Sequence, residues 1–121
     1  MKGRRKEITR AEMHGILKSR LGLAEICGEY GMTELMSQAY ALRDGIYQSP
    51  PWMRISAREV NDPLGKPVFE RHGALNVIDL ANLHSCCFIA TSDLGKVSMD
   101  HSFTVLGRID HSDTRGCNLL V

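Results

Sequence analysis

The sequence lacks the long apolar stretches that membrane and secreted proteins carry. No run of about 18 apolar residues occurs, and no apolar segment follows Met1. A charge excess is also missing, because 15 Lys and Arg residues are balanced by 14 Asp and Glu residues. We therefore expect neither a membrane span nor a secretory signal, and a net charge of +1 gives no general case for binding nucleic acid. The compartment that these absences favour is the cytoplasm.

Cysteine is scarce, and its four positions form no regular pattern. Cys86 and Cys87 are adjacent, so an ordinary disulfide between them would be strained, while Cys27 and Cys117 lie far away along the chain. We therefore expect reduced thiols. The alternative is a zinc site with the ligands His84, Cys86, Cys87 and His101. Against zinc, an H-x-C-C spacing is not that of a CxxC knuckle.

What is present suits one small globular domain, since the chain has 121 residues of which 43% are hydrophobic. The sequence pattern changes near residue 45, so we divide the chain into segments 1–45, 46–110 and 111–121, the last a C-terminal tail. We expect an α+β fold. A short helix-strand-helix α/β segment would be followed by a small, bent antiparallel sheet or partial β-barrel.

The first segment predicts two helices around one short strand. Thr9 and Glu12 form a capping-box pattern that begins a helix over residues 10–21, and apolar residues at helical spacing give that helix a stripe that we expect in the core. Residues 23–27 read as a buried strand. Residues 33–42 continue as a helix or helical turn, again with apolar residues at helical spacing.

The second segment predicts four strands. Met53, Ile55 and Ala57 alternate with polar residues, which indicates a half-buried strand within residues 52–60. Residues 73–80, 88–91 and 101–108 are the other three. We expect a turn at residues 92–95, after an apolar run at residues 86–90 that we expect to be buried.

The pentapeptide Tyr30-Gly31-Met32-Thr33-Glu34 lies between the first predicted strand and the second predicted helix. A glycine turn that opens a helix presents free N–H groups and a positive dipole end, which suits a phosphate. The aromatic ring can stack on a base, the threonine hydroxyl can donate to a phosphate oxygen, and the carboxylate can hold Mg²⁺. The alternative is a core tyrosine followed by an ordinary threonine N-cap.

Asp93 and Arg108 form a second candidate pair. Asp93 follows an apolar strand, where an ionised carboxylate can accept two hydrogen bonds from a ribose diol. Arg108 closes the next predicted strand, and a gap of one loop and one strand would bring it back to the same end of the sheet. The alternative for Asp93 is an ordinary turn aspartate.

Three short segments, taken in this order, resemble one known family. They are residues 30–34, Thr91-Ser92-Asp93-Leu94-Gly95 and Gly107-Arg108-Ile109-Asp110. Together they are similar to the adenylate-forming superfamily of acyl and aryl ligases, and most similar to the branch of phenylacetate–CoA ligases and bacterial acyl-protein synthetases. Residues 86–95 and 106–121, which include Arg115-Gly116-Cys117-Asn118, are especially similar to the acyl-protein synthetases. The resemblance extends over essentially the whole chain.

The resemblance implies a role for each residue of the pentapeptide. Tyr30 would pack on adenine, and Gly31 and Met32 would border the nucleotide. Thr33 would bind the α-phosphate of an acyl-adenylate, and Glu34 would ligate Mg²⁺.

The resemblance also assigns the residues near the end of the chain. Asp93 would hold the ribose hydroxyls with help from Arg108, and Asp110 matches the superfamily's hinge position. In acyl-protein synthetases a cysteine near the carboxyl terminus accepts the acyl group, which makes Cys117 a candidate. The alternative for Cys117 is a tail residue without a role, since only Arg115 is close enough in sequence to lower its pKa.

The implied reaction activates a fatty or aryl carboxylic acid with ATP to an acyl-adenylate and then passes the acyl group to a thiol. The implied cofactors are ATP or AMP, Mg²⁺ and, as one acceptor, coenzyme A. A carrier thiol or a protein cysteine is the other acceptor. Cys86 and Cys87 are weaker candidates for that cysteine than Cys117.

Two parts of the superfamily are missing from the sequence. One is the loop rich in Ser, Thr, Gly and Lys that grips the β- and γ-phosphates, and the other is the C-terminal lid domain with its catalytic lysine. We therefore expect the chain to be the C-terminal part of the large domain of a longer ligase, and not to turn over ATP by itself. Its partner would be the missing N-terminal part, and the face exposed by that loss predicts a homodimer.

Two other classes of function stay open from the sequence. One is a binding or interaction module that keeps the nucleotide pocket without catalysis. The other is a thiol redox or metal protein built on Cys86 and Cys87.

Overall fold

The structure, a computed structural model, describes residues 8–109 of the chain. Its helix and strands follow one another in this order: α1 (Arg10–Leu21), β1 (Gly28–Tyr30), β2 (Ala39–Ala41), β3 (Met53–Arg58), β4 (His72–Asp79), a 3₁₀ turn (Leu80–Asn82), β5 (Phe88–Val97) and β6 (Phe103–Arg108). One sheet has the order β1-β2 and the other the order β3-β4-β5-β6, and every pairing is antiparallel. The predicted α+β class with a small antiparallel sheet is confirmed, and the sheet is not closed into a barrel. Among the described residues, no helix is long and apolar enough to cross a membrane.

Helix α1 has the predicted bounds and the predicted caps. The side chains of Thr9 and Glu12 satisfy each other's backbone N–H groups, and Gly22 ends the helix with a φ of 64°. The predicted core stripe is wrong, because α1 buries none of its residues and the apolar Ile16 and Leu21 are exposed. One contact to the core is made instead by Arg10, whose guanidinium hydrogen-bonds the Tyr47 hydroxyl.

The segment after α1 differs from the prediction. Residues 23–27 are not a strand, and residues 33–42 are not a helix. Strand β1 instead pairs with β2 as an antiparallel hairpin, in which Glu29 faces Tyr40. The pentapeptide 30–34 therefore ends a strand and enters a turn, so it presents no helix dipole to a ligand.

The four-stranded sheet confirms the alternation read from the sequence. Met53, Ile55 and Ala57 on β3 are buried, and Leu75 and Val77 on β4 face the same core. Strand β4 ends in Asp79, whose side chain is fully buried although it carries a carboxylate.

Strand β5 is longer than predicted. The backbone continues through residues 92–95, where the prediction placed a turn, and a bulge lies between Leu94 and Gly95 where β5 pairs with β6. The predicted burial of residues 86–90 is also wrong, since Cys86, Phe88 and Ala90 are exposed. Because β5 does not turn, Asp93 and Arg108 become cross-strand partners.

The core joins both sheets through three aromatic rings. Tyr30 meets Phe103 edge-on at 5.4 Å between ring centroids, and Tyr47 stacks on Phe103 at 5.3 Å. Backbone bonds between Tyr47 and Phe103 run in both directions. The two-stranded hairpin is thereby held against the end of the large sheet, and the residues after Tyr30 emerge beside β5.

Candidate functional site

Asp93 is the centre of the candidate site. Its Oδ2 accepts a 2.8 Å hydrogen bond from the Tyr30 hydroxyl, and its Oδ1 lies 3.6 Å from Nε of Arg108. The Arg108 side chain is 81% exposed while that of Asp93 is 17% exposed. The carboxylate is therefore fixed from the protein side, and the guanidinium borders it from the solvent side.

Thr91 holds the backbone of Asp93 and was not predicted as a site residue, although it begins the segment 91–95. Its buried hydroxyl donates to the Leu75 carbonyl oxygen at 2.8 Å and accepts from the Asp93 N–H at 3.1 Å. A threonine two residues before the candidate aspartate, on the same face of a strand, was the available signal. The hydroxyl ties the bulged part of β5 to β4 and so fixes the direction of Asp93.

Thr33 and Glu34 occupy the centre of a turn beside this carboxylate. The Leu35 N–H donates to the Met32 carbonyl oxygen at 3.0 Å and closes the turn, which leaves Thr33 and Glu34 exposed at its tip. The hydroxyl and the carboxylate are thus presented to solvent by a turn instead of by a helix N-terminus.

A cleft of about 390 Å³ joins the turn and the Asp93 pair. It is lined by Gly31, Met32, Thr33, Glu34, Thr91, Asp93 and Arg108. Six of these seven residues were predicted site residues, and the structure brings them together from three separate parts of the chain. The cleft combines a hydroxyl, two carboxylates and a guanidinium, a set that can bind both the diol and the anionic group of a nucleotide.

Tyr30 contributes to the candidate site through its hydroxyl, which donates to Asp93. Only 7% of the residue is exposed, because its ring lies among Tyr47 and Phe103. A ring this deeply buried offers little surface to a base, so the predicted stacking of adenine on Tyr30 does not match the geometry. Burial, reinforced by the hydrogen bond to Asp93, raises the pKa of the Tyr30 hydroxyl above its ordinary value and keeps it a donor.

A second buried carboxylate, Asp79, lies where β4 ends. Burial alone would raise its pKa, but hydrogen bonds from the Ser37 hydroxyl and from backbone N–H groups of Ser37, Met36 and Ala81 outweigh burial and hold the pKa of Asp79 below its ordinary value. Asp79 shares a face of β4 with the buried Leu75 and Val77, and a charged residue in that register was the available sequence signal for a structural or functional role.

The predicted cysteine sites are only partly within the described residues. Cys27, Cys86 and Cys87 are free thiols, whereas Cys117 and the hinge-position Asp110 lie outside the described residues. Within residues 8–109, no group of three or more His, Cys, Asp or Glu side chains is close enough together to hold a metal ion. The sequence-based zinc alternative thus has no supporting cluster in that range.

Comparison by sequence gives no relative: no protein-family model and no curated protein matches the chain. Comparison by structure finds several similar proteins. The chain is similar to ATP-bound MatB from Rhodopseudomonas palustris, with 20% identity and a TM-score of 0.59 over 81% of this chain and 23% of that one. It is also similar to the AMP complex of O-succinylbenzoate coenzyme A synthetase (MenE) from Bacillus subtilis, with 21% identity and a TM-score of 0.58 over 83% of this chain and 24% of that one.

A third similar structure is the luciferase-like enzyme of the nonluminescent mealworm Zophobas morio, with 16% identity and a TM-score of 0.59 over 84% of this chain and 30% of that one. These proteins are members of the adenylate-forming acyl-CoA synthetase superfamily. The coarse part of the predicted resemblance, the fold, is therefore confirmed, while the narrower branch stays a prediction. The chain spans less than a third of the length of each of these proteins.

Proposed function

We propose that the chain forms the AMP-binding part of an ATP-dependent acid–thiol ligase, which makes an acyl-adenylate and transfers the acyl group to a thiol. The observation that carries the proposal is the convergence of the turn at residues 32–35 with Asp93 and Arg108 on one cleft. The fold supports it, because two of the similar structures hold ATP or AMP. The substrate would be a carboxylic acid, and the acceptor coenzyme A, a carrier thiol or a protein cysteine.

Asp93 would accept hydrogen bonds from the two ribose hydroxyls. It suits that task because Tyr30 and the Asp93 backbone contact to Thr91 hold it without covering it. Arg108 lies beside it and is exposed, so its guanidinium can reach the ribose or the phosphate. Gly31 and Met32 would form the wall along which the nucleotide lies.

Thr33 would donate to an oxygen of the α-phosphate from the tip of its turn. Glu34, exposed beside it, offers a carboxylate of the kind that Mg²⁺ prefers, and that ion would offset the negative charge of the phosphates. The residues of this chain thus supply orientation and charge complementarity at the α-phosphate.

The finer assignments extend this proposal. We place the chain in the acyl-protein synthetase and phenylacetate–CoA ligase branch, with a cytoplasmic location and Cys117 as a candidate acyl acceptor. The chain by itself would not release pyrophosphate from ATP and an acid, because the sequence lacks a loop for the β- and γ-phosphates. Pyrophosphate release clearly above buffer would contradict this part.

Nucleotide binding is tested by titrating the full chain with AMP and with adenosine. We expect saturable binding of both, with AMP the tighter ligand. Thr33→Ala should weaken AMP and leave adenosine unchanged, whereas Asp93→Ala should weaken both, because ribose is common to the two ligands. Thr104→Ala, a strand residue outside the cleft lining, is the matched control and should change neither.

The alternative is a non-catalytic interaction module of the same fold. Apolar residues such as Met36, Leu42 and Trp52 are exposed, which an interaction surface would explain. No binding of AMP or adenosine, together with tight self-association of the chain, would favour this alternative over the ligase.

A further inference from the structure

The residues that follow Glu34 have no regular structure, yet they are held at several points. Residues 35–38 belong to neither a helix nor a strand. Their backbone N–H groups therefore need partners outside the usual ladders. Asp79 at the end of β4 supplies partners for two of these N–H groups, and Asn82 in the 3₁₀ turn that follows holds the Glu34 carbonyl. Neither residue lines the cleft described above.

Asp79 provides the first anchor. Its Oδ2 accepts hydrogen bonds from the backbone N–H groups of Met36 and Ser37, both at 2.9 Å, and its Oδ1 accepts from the Ser37 hydroxyl at 2.8 Å. The same Oδ1 accepts from the Ala81 N–H at 3.1 Å, which begins the 3₁₀ turn Leu80–Asn82. One buried carboxylate thus joins the end of β4, the following turn and the loop after Glu34.

Asn82 provides the second anchor, at Glu34 itself. Its side-chain amide donates to the Glu34 carbonyl oxygen at 2.9 Å and to the Cys86 carbonyl oxygen at 3.0 Å. Both N–H groups of the amide are therefore used to tie the Glu34 backbone to the loop that leads into β5.

Trp52, the residue before β3, adds a third contact. Its indole N–H donates to the Ser37 hydroxyl oxygen at 2.9 Å, and that hydroxyl donates in turn to Asp79. The loop is consequently fixed to the same sheet that carries Asp93.

Asp79 and Asn82 together hold the backbone of Glu34, Met36 and Ser37, and we call these two residues the clamp.

We propose that the clamp positions Thr33 and Glu34 against the phosphate of a bound nucleotide, with Asp79 and Asn82 as positioning residues that do not touch the ligand. The inference rests on the proposed function. It follows because the turn that presents Thr33 and Glu34 is followed directly by the clamped residues, so its direction depends on where they are held.

The ribose end of the cleft depends on different contacts. Asp93 is held by Tyr30 and Thr91, and neither of these hydrogen-bonds to the clamp. Loosening the clamp should therefore affect recognition of the phosphate and spare recognition of the ribose. A general loss of folding would affect both.

The test compares Asn82→Ala with wild type in the full chain. Asn82 is partly exposed at the surface turn, so its truncation leaves the buried core intact. Because Asn82→Ala lets the turn leave its binding position for part of the time, we expect AMP affinity to fall about fivefold and adenosine affinity to stay the same. Amide hydrogen exchange should become faster at Met36 and Ser37 and remain slow in β4 and β5.

Asn61→Ala is the matched control, because it makes the same chemical change in an exposed loop away from the cleft. It should alter neither affinity nor exchange. Equal AMP affinity in wild type and Asn82→Ala, or an equal loss for adenosine, would overturn the clamp while leaving the proposed function standing. If wild type binds no AMP, the proposed function fails, and unchanged exchange at Met36 and Ser37 in Asn82→Ala would then overturn the clamp as well.

Discussion

The Tyr30 hydroxyl donates a 2.8 Å hydrogen bond to Oδ2 of Asp93, across 63 residues of sequence. The bond joins the two-stranded hairpin, where Tyr30 ends β1, to the middle of the longest strand of the large sheet. It also orients the carboxylate that we assign to ribose. One contact therefore links the packing of the two sheets to the candidate site.

Replacing Tyr30 with Phe tests this contact directly. Tyr30→Phe keeps the ring in the core and removes the donor, so we expect a loss of about 1–2 kcal/mol in the free energy of unfolding and weaker adenosine binding. Urea unfolding and ligand titration measure the two effects. Tyr40→Phe is the control, since Tyr40 is exposed and its hydroxyl makes only a long 3.4 Å contact to Gln38. Equal free energies of unfolding for Tyr30→Phe and wild type would show that the Tyr30–Asp93 hydrogen bond does not stabilise the fold.

Arg108 should matter for binding far more than for stability. Its ion pair with Asp93 is 3.6 Å long and its side chain is largely exposed, so Arg108→Ala should change the free energy of unfolding by less than about 0.5 kcal/mol. AMP affinity should fall, because the guanidinium borders the cleft. Arg71→Ala breaks another exposed ion pair, to Glu59, and should leave AMP affinity intact. A similar AMP affinity in both variants would count against a role for Arg108.

Gly95 has no room for a side chain. A Cβ at this position would lie 2.3 Å from the Thr104 carbonyl oxygen and 2.9 Å from Leu75 Cδ1. Gly95→Ala must therefore push β6 away from β5, and we expect a loss of roughly 1–3 kcal/mol in the free energy of unfolding. Gly107→Ala is the control on β6, because nothing lies within 4 Å of a Cβ there. Comparable denaturation midpoints for the two variants would show that the bulge beside Asp93 is not tightly packed.

Asp79 predicts a specific dependence of stability on pH. Hydrogen bonds to its carboxylate hold its folded-state pKa below the ordinary value of about 3.9, so its contribution is present above that value and is lost as pH falls through the folded pKa. Asp79→Asn has one accepting oxygen in place of two, so it cannot accept all the bonds that Asp79 receives from Met36, Ser37 and Ala81. Its free energy of unfolding should therefore fall by about 2 kcal/mol near neutral pH and by less below about pH 4.

Urea unfolding at several pH values measures this difference. Asp62→Asn, an exposed aspartate in the loop after β3, serves as the control and should follow wild type at every pH. A deficit of Asp79→Asn that stays constant between pH 7 and pH 3 would mean that the charge of Asp79 does not carry the effect.

Local patterns predicted those parts of the fold that depend on neighbouring residues. The capping box at Thr9 and Glu12 is satisfied within one turn, so the helix bounds could be read from the sequence. The alternation of apolar and polar residues at 53–57 likewise predicted strand β3, because one face of that strand is buried along its length. The apolar stripe of α1 led to a wrong prediction of burial, because helical spacing shows that one face of a helix is apolar but does not show that another element covers that face.

Long-range contacts decided the parts that the sequence misassigned. Residues 33–42 have apolar residues at helical spacing, but Asp79 takes the N–H groups of Met36 and Ser37 that a helix would use, and β2 pairs with β1. Residues 92–95 are rich in turn formers, yet β6 pairs along them and a bulge absorbs the irregularity. Six of the predicted site residues line one cleft although some of the elements that carry them were misassigned, because their residue types were recognisable wherever the backbone placed them. Their roles stay predictions.

The most direct test of the proposed nucleotide site maps AMP onto the isotope-labelled full chain by NMR. The proposed nucleotide site predicts saturable amide shifts concentrated at residues 31–34, 91–93 and 108, around the cleft that joins the turn to Asp93. It predicts no comparable shifts at a separate surface cleft, whose lining includes Arg54 and His101. Saturable shifts centred on Arg54 and His101, or no saturable shifts at all, would contradict the assignment of the nucleotide site.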